Sequence, residues 1–159
     1  EKKVLKIETE KFMNNILKIK KLNANASVPK RATSGSAGMD LSACIDEDII
    51  ITPGEVKLIP TGLAAAPDTD RCALLIYPRS GLASKHSISL ANCVGVVDSD
   101  YRGEIKVPLI NHSSENFTVT NGMKIAQMIM TPVILPDIAE VDELDETERG
   151  SGGFGSTGK

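Results

Sequence analysis

From Ala32 onward the chain runs in short apolar stretches broken by Gly, Pro, Asn and Asp. The stretches are Leu41–Ile45, Ile49–Ile51, Val56–Ile59, Ala73–Tyr77, Ile88–Ala91, Val94–Val97, Ile105–Ile110, Phe117–Val119, Ile125–Met130 and Val133–Leu135. Turn signals separate them: T-P-G at 52–54, P-T-G at 60–62, P-D-T-D at 67–70, N-H-S-S at 111–114 and T-N-G at 120–122. Short β-branched runs punctuated in this way predict an all-β sandwich or barrel. Residues 80–86, S-G-L-A-S-K-H, are poor in β-branched side chains and predict one short helix, with Ser80 as its cap. Upstream, Phe12, Met13, Ile16, Leu17 and Ile19 fit an amphipathic helix, whereas I-L-K-I-K-K-L at 16–22 alternates like a strand.

The most informative stretch is 92–106, N-C-V-G-V-V-D-S-D-Y-R-G-E-I-K. Val94–Val97 and Ile105–Val107 flank a polar turn and read as a β-hairpin. Its turn carries more charge than a connection needs, with Asp98, Asp100, Tyr101 and Arg102 close together. An acidic turn closed by Gly is ordinary punctuation in itself. A calcium loop does not fit, because Arg102 takes its fifth position and Leu109 the place of its bidentate glutamate. A slot lined by backbone N–H and C=O groups, with a carboxylate and a phenol at its mouth, is suited to a flat heterocycle.

Composition narrows the choice. A chain of 159 residues is expected to be one domain with a sizeable core. Its charge is uneven: residues 1–31 sum to +6 and the rest to −9. An acidic body argues against broad nucleic-acid binding, so phosphate recognition is expected to be local. Cys44, Cys72 and Cys93 form no C-x-x-C pair and sit in apolar company. That favours buried thiols in a reducing, cytoplasmic setting over a disulfide framework or a zinc site. No run is long and apolar enough to span a bilayer, so no membrane partner is expected. Three units are expected: an N-terminal extension at 1–15, a β-barrel at 16–141, and an acidic spacer with a glycine-rich lid at 142–159. Met13 offers a natural start for the working part.

Several further pieces carry candidate chemistry. P-R-S-G-L-A at 78–83 follows the strand A-L-L-I-Y and opens the helix. Free backbone N–H groups, a hydroxyl and the Arg79 guanidinium make that junction an anion site, although a plain cap beside a surface arginine reads equally well. Gln127 interrupts an apolar run, as a structural hydrogen-bonder or a phosphate contact. Asp40 is framed by Met39 and Leu41, either as a turn-stabilising carboxylate or as one facing a metal-bound phosphate. His86 and His112 have no partners at ligand spacing and receive no role. In the tail, G150-S-G-G-F-G155 matches a dinucleotide fingerprint and G153-F-G-S-T-G-K159 a P-loop. Both need a strand before and a helix after. An acidic segment precedes them instead, so both are rejected. A tail with five glycines in a short run resists ordering by itself, but Arg149, Phe154, Ser156 and Thr157 suit an arm that folds over a nucleotide.

Taken together, five segments in order resemble the trimeric dUTPases, most closely bacterial ones: A-G-M-D-L, P-R-S-G-L-A, G-V-V-D-S-D-Y-R-G, G-M-K-I-A-Q and R-G-S-G-G-F-G-S-T-G. The likeness runs from about Ser34 to Gly158, and residues 1–31 carry none of it. It implies a distorted jelly-roll-like β-barrel with one short helix and a C-terminal arm exchanged between subunits of a homotrimer. The implied reaction is hydrolysis of dUTP to dUMP and pyrophosphate with Mg²⁺, which keeps uracil out of DNA and supplies dUMP for thymidylate synthesis. Asp98 would activate the water that attacks the α-phosphorus. Asn92, the backbone of Gly95, Val96 and Val97, and the returning strand near Lys106 would read uracil. Tyr101 would pack on the deoxyribose where a ribose 2′-OH would clash. Arg79, Ser80, Gly81 and Gln127 would hold phosphates, Arg149, Ser156 and Thr157 would close on the terminal one, and Phe154 would cover the base. Mg²⁺ would be held by the triphosphate and waters, with Asp40 at most nearby. Met123 and Lys124 stand where an acid and an arginine are common. Two rivals remain: a dCTP deaminase-like enzyme, which needs a glutamate to activate water against the base, and a non-catalytic β-jelly-roll assembly module.

Overall fold

The structure is a computed structural model that describes residues 16–153. Its elements are β1 (Leu17–Lys21), β2 (Met39–Ser42), β3 (Ile49–Ile51), β4 (Val56–Pro60), β5 (Leu63–Pro67), β6 (Cys72–Tyr77), α1 (Ser80–His86), β7 (Ile88–Leu90), β8 (Gly95–Val97), β9 (Lys106–Asn111), β10 (Phe117–Val119) and β11 (Lys124–Pro132). Among the described residues the expectation of a β protein with one short helix holds, and the fold is jelly-roll-like. The strands form a four-stranded sheet β2-β11-β6-β8, a three-stranded sheet β4-β9-β7, and the pairs β1-β5 and β10-β3. All pairings are antiparallel.

Alternation explains most of the core. In β9 the side chains of Val107, Leu109 and Asn111 turn inward and are buried, while Pro108 and Ile110 are only half-buried. The central strand β11 is covered on both edges, by β2 and β6, and buries Ile125, Ala126 and Met128. These side chains join Leu41, Ile51, Ile59, Leu63, Leu74 and Ile88 in one cluster. Each Leu, Ile or Met side chain withdrawn from water there contributes about 1.5–3 kcal/mol. Buried Asn111 is fully partnered: its amide donates to Ile51 O at 2.8 Å and Glu115 O at 2.7 Å, and its oxygen accepts from the Ser113 hydroxyl at 2.7 Å.

Several readings change. The runs flanking the 98–105 turn are not a hairpin: β8 pairs with β6 and β9 pairs with β4 and β7. The connection is long enough to turn a corner between two sheets, and each run pairs within its own sheet. Val133–Leu135 forms no strand, with Ile134 and Leu135 exposed. Conversely, the alanine-rich L-A-A-A-P forms β5, buried by its position over β1 and not by its composition. Ser80 is not the helix cap: Arg79 holds that place in extended conformation, with no side-chain cap bond. Of the two readings open for the segment before Asn23, the strand holds over Leu17–Lys21, and Phe12 and Met13 lie outside the described residues.

Candidate active site

The 98–105 corner opens a cleft of about 430 Å³ between the two main sheets. Asn92, Gly95, Val96, Val97, Asp98, Tyr101 and Lys106 all line it, and Leu58, Ile76, Leu90 and Pro108 supply apolar walls. A polar slot with hydrophobic walls is the usual form of a small-molecule site. β8 places the backbone of 95–97 along one wall because it is an edge strand, hydrogen-bonded only to β6 among the described strands. Gly95 is buried under the Asn92 amide, and a Cβ there would lie 3.3 Å from both Asn92 Nδ2 and Ile76 Cβ. Asn92 therefore packs on bare backbone.

Asp98 begins a tight turn, its carbonyl accepting the Tyr101 N–H at 3.2 Å, and its own side chain is exposed. Arg102 is occupied by the turn itself: its Nη1 donates to Ser99 O at 2.8 Å and Tyr101 O at 2.9 Å. Tyr101 folds back over Gly103, where any Cβ would collide with the phenol, and its hydroxyl donates to Glu104 O at 3.0 Å. Glu104 and Ile105 also line the cleft, and neither stood out in the sequence.

A second cluster forms where β2, β6 and β11 meet. The register aligns Gln127 with Asp40 on one side and Tyr77 on the other. Gln127 lies across Gly38, and its amide donates to Pro78 O at 3.0 Å, which anchors the approach to Arg79. Asp40 accepts from Arg79 Nε at 3.1 Å and pairs with Lys124 Nζ at 2.8 Å. Burial alone would raise the Asp40 carboxyl, but the Lys124 hydrogen bond and the charges of Arg79 and Lys124 outweigh it and hold the group below its usual range. Lys124 is thus part of this cluster. It pairs with Ser42, two residues along β2 from Asp40, a placement visible only once strand pairing is known. Ser80 and Gly81 sit exposed at the start of α1, beside Arg79.

The chain does not bring these clusters together. None of Arg79, Ser80, Gly81 and Gln127 lines the cleft that holds Asp98 and Tyr101. Arg149 lies in a separate turn, its Nε donating to Gly152 O at 2.8 Å. Phe154, Ser156 and Thr157 lie outside the described residues. Cys44 and Cys72 are buried with thiols raised above their ordinary value by burial, whereas Cys93 is exposed, contrary to the buried reading. Among the described residues no group of three or more His, Cys, Asp or Glu is placed to hold a metal. None of their helices is long and apolar enough to cross a membrane.

The jelly-roll-like β fold thus carries two separate polar clusters, the cleft around Asp98 and the Asp40–Arg79–Lys124 group. The dUTPase family model matches residues 24–158. The chain is 55% identical over 143 residues to the deoxyuridine 5′-triphosphate nucleotidohydrolase of Nautilia profundicola, covering 90% of this chain and 99% of the relative. A mutant of the Staphylococcus phage 80alpha dUTPase superposes with a TM-score of 0.81 at 26% identity, covering 91% of this chain and all of that one. Another mutant of that phage enzyme, with dUpNHpp, gives 0.78 at 25% identity over 92% of this chain and all of that one. The chain belongs to the dUTPase family.

Proposed function

We propose that this protein hydrolyses dUTP to dUMP and pyrophosphate at a site assembled from the cleft of one chain and the cation cluster of another. The observation that carries the reading is the separation itself. Asp98 and the ring-sized slot stand apart from Arg79 and Gln127, although a nucleotide requires both at once. Assembly of three copies joins them. The same assembly would cover the extended segment after β11, where Ile134, Ile138 and Leu144 are exposed.

In the assembled site the backbone of 95–97 and Asn92 read uracil, whose fixed donor–acceptor order excludes cytosine and whose bare C5 fits where a methyl does not. Tyr101 stacks on the deoxyribose. Arg79, Ser80, Gly81 and Gln127 hold phosphates. Arg149, Phe154, Ser156 and Thr157 form the closing arm. Asp98 supplies the carboxylate that acts as the base. It orients a water and takes its proton as the water oxygen bonds to the α-phosphorus, and the bond to the bridging oxygen breaks to release pyrophosphate. Both oxygens of Asp40 are engaged by cations, so the donor set fits a metal carried in on triphosphate oxygens and not a cage of side chains. When bound with the triphosphate, Mg²⁺ would supply neutralisation of its charge. The compartment is the cytoplasm, where dUTP is met.

Incubation with dUTP and Mg²⁺ tests the reading. The expected products are dUMP and pyrophosphate in equal amounts, with oxygen from labelled water in dUMP. Release of ammonia from dCTP instead would establish the deaminase rival, and no turnover of either would leave an assembly module.

A further inference from the structure

The segment that closes the cleft is tied down by contacts that the chemistry does not use. Residues 103–105 lie against the turn between β4 and β5, and three hydrogen bonds cross. The Ile105 N–H donates to Leu63 O at 2.8 Å, the buried Thr61 hydroxyl donates to Ile105 O at 2.6 Å, and the Gly62 N–H donates to Glu104 Oε1 at 2.8 Å. Gly62 has φ of +67°, and a Cβ there would lie 2.9 Å from Ala26 Cβ and Cys44 Sγ, so this turn aims its N–H only as glycine. Glu104 Oε2 faces Lys106 Nζ at 3.6 Å. Through its side chain Glu104 therefore grips the body of the protein. Through its carbonyl it holds the Tyr101 hydroxyl at 3.0 Å.

We infer that Glu104 is a positioning residue for sugar discrimination: its carboxylate, bound to the β4–β5 turn, fixes the carbonyl that sets where the Tyr101 ring stands. The inference rests on the dUTP reading above. A ribose differs from a deoxyribose by one oxygen, and exclusion by contact fades steeply as the excluding surface withdraws. Tyr101 is nearly half exposed and its hydroxyl has no other hydrogen-bond partner among the described residues, so this tether is what holds the far end of the ring over Gly103.

The test compares kcat/KM for dUTP and UTP, with Mg²⁺, in the full-length assembled protein and in Glu104→Gln, Glu104→Ala, Tyr101→Phe and the Glu104→Ala/Tyr101→Phe double variant. Glu104→Ala should lower the dUTP-to-UTP ratio by about tenfold or more, the size of a lost discriminating contact. Glu104→Gln keeps an acceptor at the same reach and should stay within about twofold of wild type. The double variant should discriminate no worse than Tyr101→Phe, because both changes act through one ring. An unchanged ratio in Glu104→Ala, a Gln variant as permissive as the Ala one, or additive losses would each overturn the inference. With no Trp and one other tyrosine, the ring is also read directly in a Tyr77→Phe background. Acrylamide quenching of Tyr101 fluorescence, without nucleotide, should rise in Glu104→Ala and not in Glu104→Gln, and equal quenching would overturn the tether. Failure of the wild type to hydrolyse dUTP would remove the underlying reading, a result distinct from hydrolysis with an unchanged ratio.

Discussion

Replacing Asp40 by Asn removes one charge from the cation cluster and almost nothing of its shape. Asp40 is well covered, with 18% of its side chain exposed, but Arg79 and Lys124 are 34% and 54% exposed. A covered charge-assisted hydrogen bond is worth about 1.5–3 kcal/mol, whereas exposed pairs are worth roughly 0–1. With both cations partly in solvent and an acceptor retained by Asn, the net loss is about 1 kcal/mol at neutral pH. For a domain of this size that lowers the melting midpoint by about 2–4 °C. The sign with pH is fixed by the direction of the Asp40 shift. Its carboxyl is held below the usual value in the folded state, so its contribution is fully present above the unfolded value of about 3.9. It is lost as pH falls through the folded value, where wild-type Asp40 becomes as neutral as Asn. Urea unfolding of both proteins from pH 7 to pH 2.5, at one protein concentration because assembly adds to stability, measures the gap. It should shrink toward zero on acidification. A gap that stays constant, or widens in acid, would refute the ion-pair account.

Two other substitutions probe separate parts of the molecule. Asp98→Asn should reduce turnover by about 10²–10⁴ with dUTP affinity retained, checked by single-turnover kinetics beside equilibrium binding, since it removes a base and not a contact surface. Asn111→Ala strips the carbonyls of Ile51 and Glu115 of their donor and should cost about 2–4 kcal/mol in denaturant unfolding, while leaving the cleft residues in place.

Much of this was legible in the chain because alternation and turn chemistry are local. T-P-G, P-T-G and T-N-G marked real turns, with positive φ at Gly54, Gly62 and Gly122. Strands β3 and β10 coincide with their runs. What was not legible depends on pairing across long separations. Val94–Val97 and Ile105–Val107 look like hairpin partners because they are neighbours in sequence, but the better-matched edges belong to Leu74–Ile76 and to β4. β5 is alanine-rich and strand only because β1 lies beside it. In the cleft, Asp98 and Tyr101 announced themselves as a carboxylate and a phenol in one turn. Glu104 did not, because its importance comes from Gly62, 42 positions away. Lys124 was likewise unreadable until β11 was aligned with β2, which sets it beside Asp40.

The claim that each site draws on more than one chain is tested most directly by mixing two inactive proteins. One carries Asp98→Asn with an intact tail, and the other carries Asp98 but is truncated after Glu148. After joint refolding in equal amounts, random assembly around a closed ring should give roughly a quarter of sites with both contributions intact, if these come from different chains. Activity should then return to about a quarter of the wild-type value per site. If Asp98 and the tail of a site belong to the same chain, no mixture contains an intact site. Activity remaining at the background of the separate variants, with subunit exchange shown by mass spectrometry, would contradict the shared site.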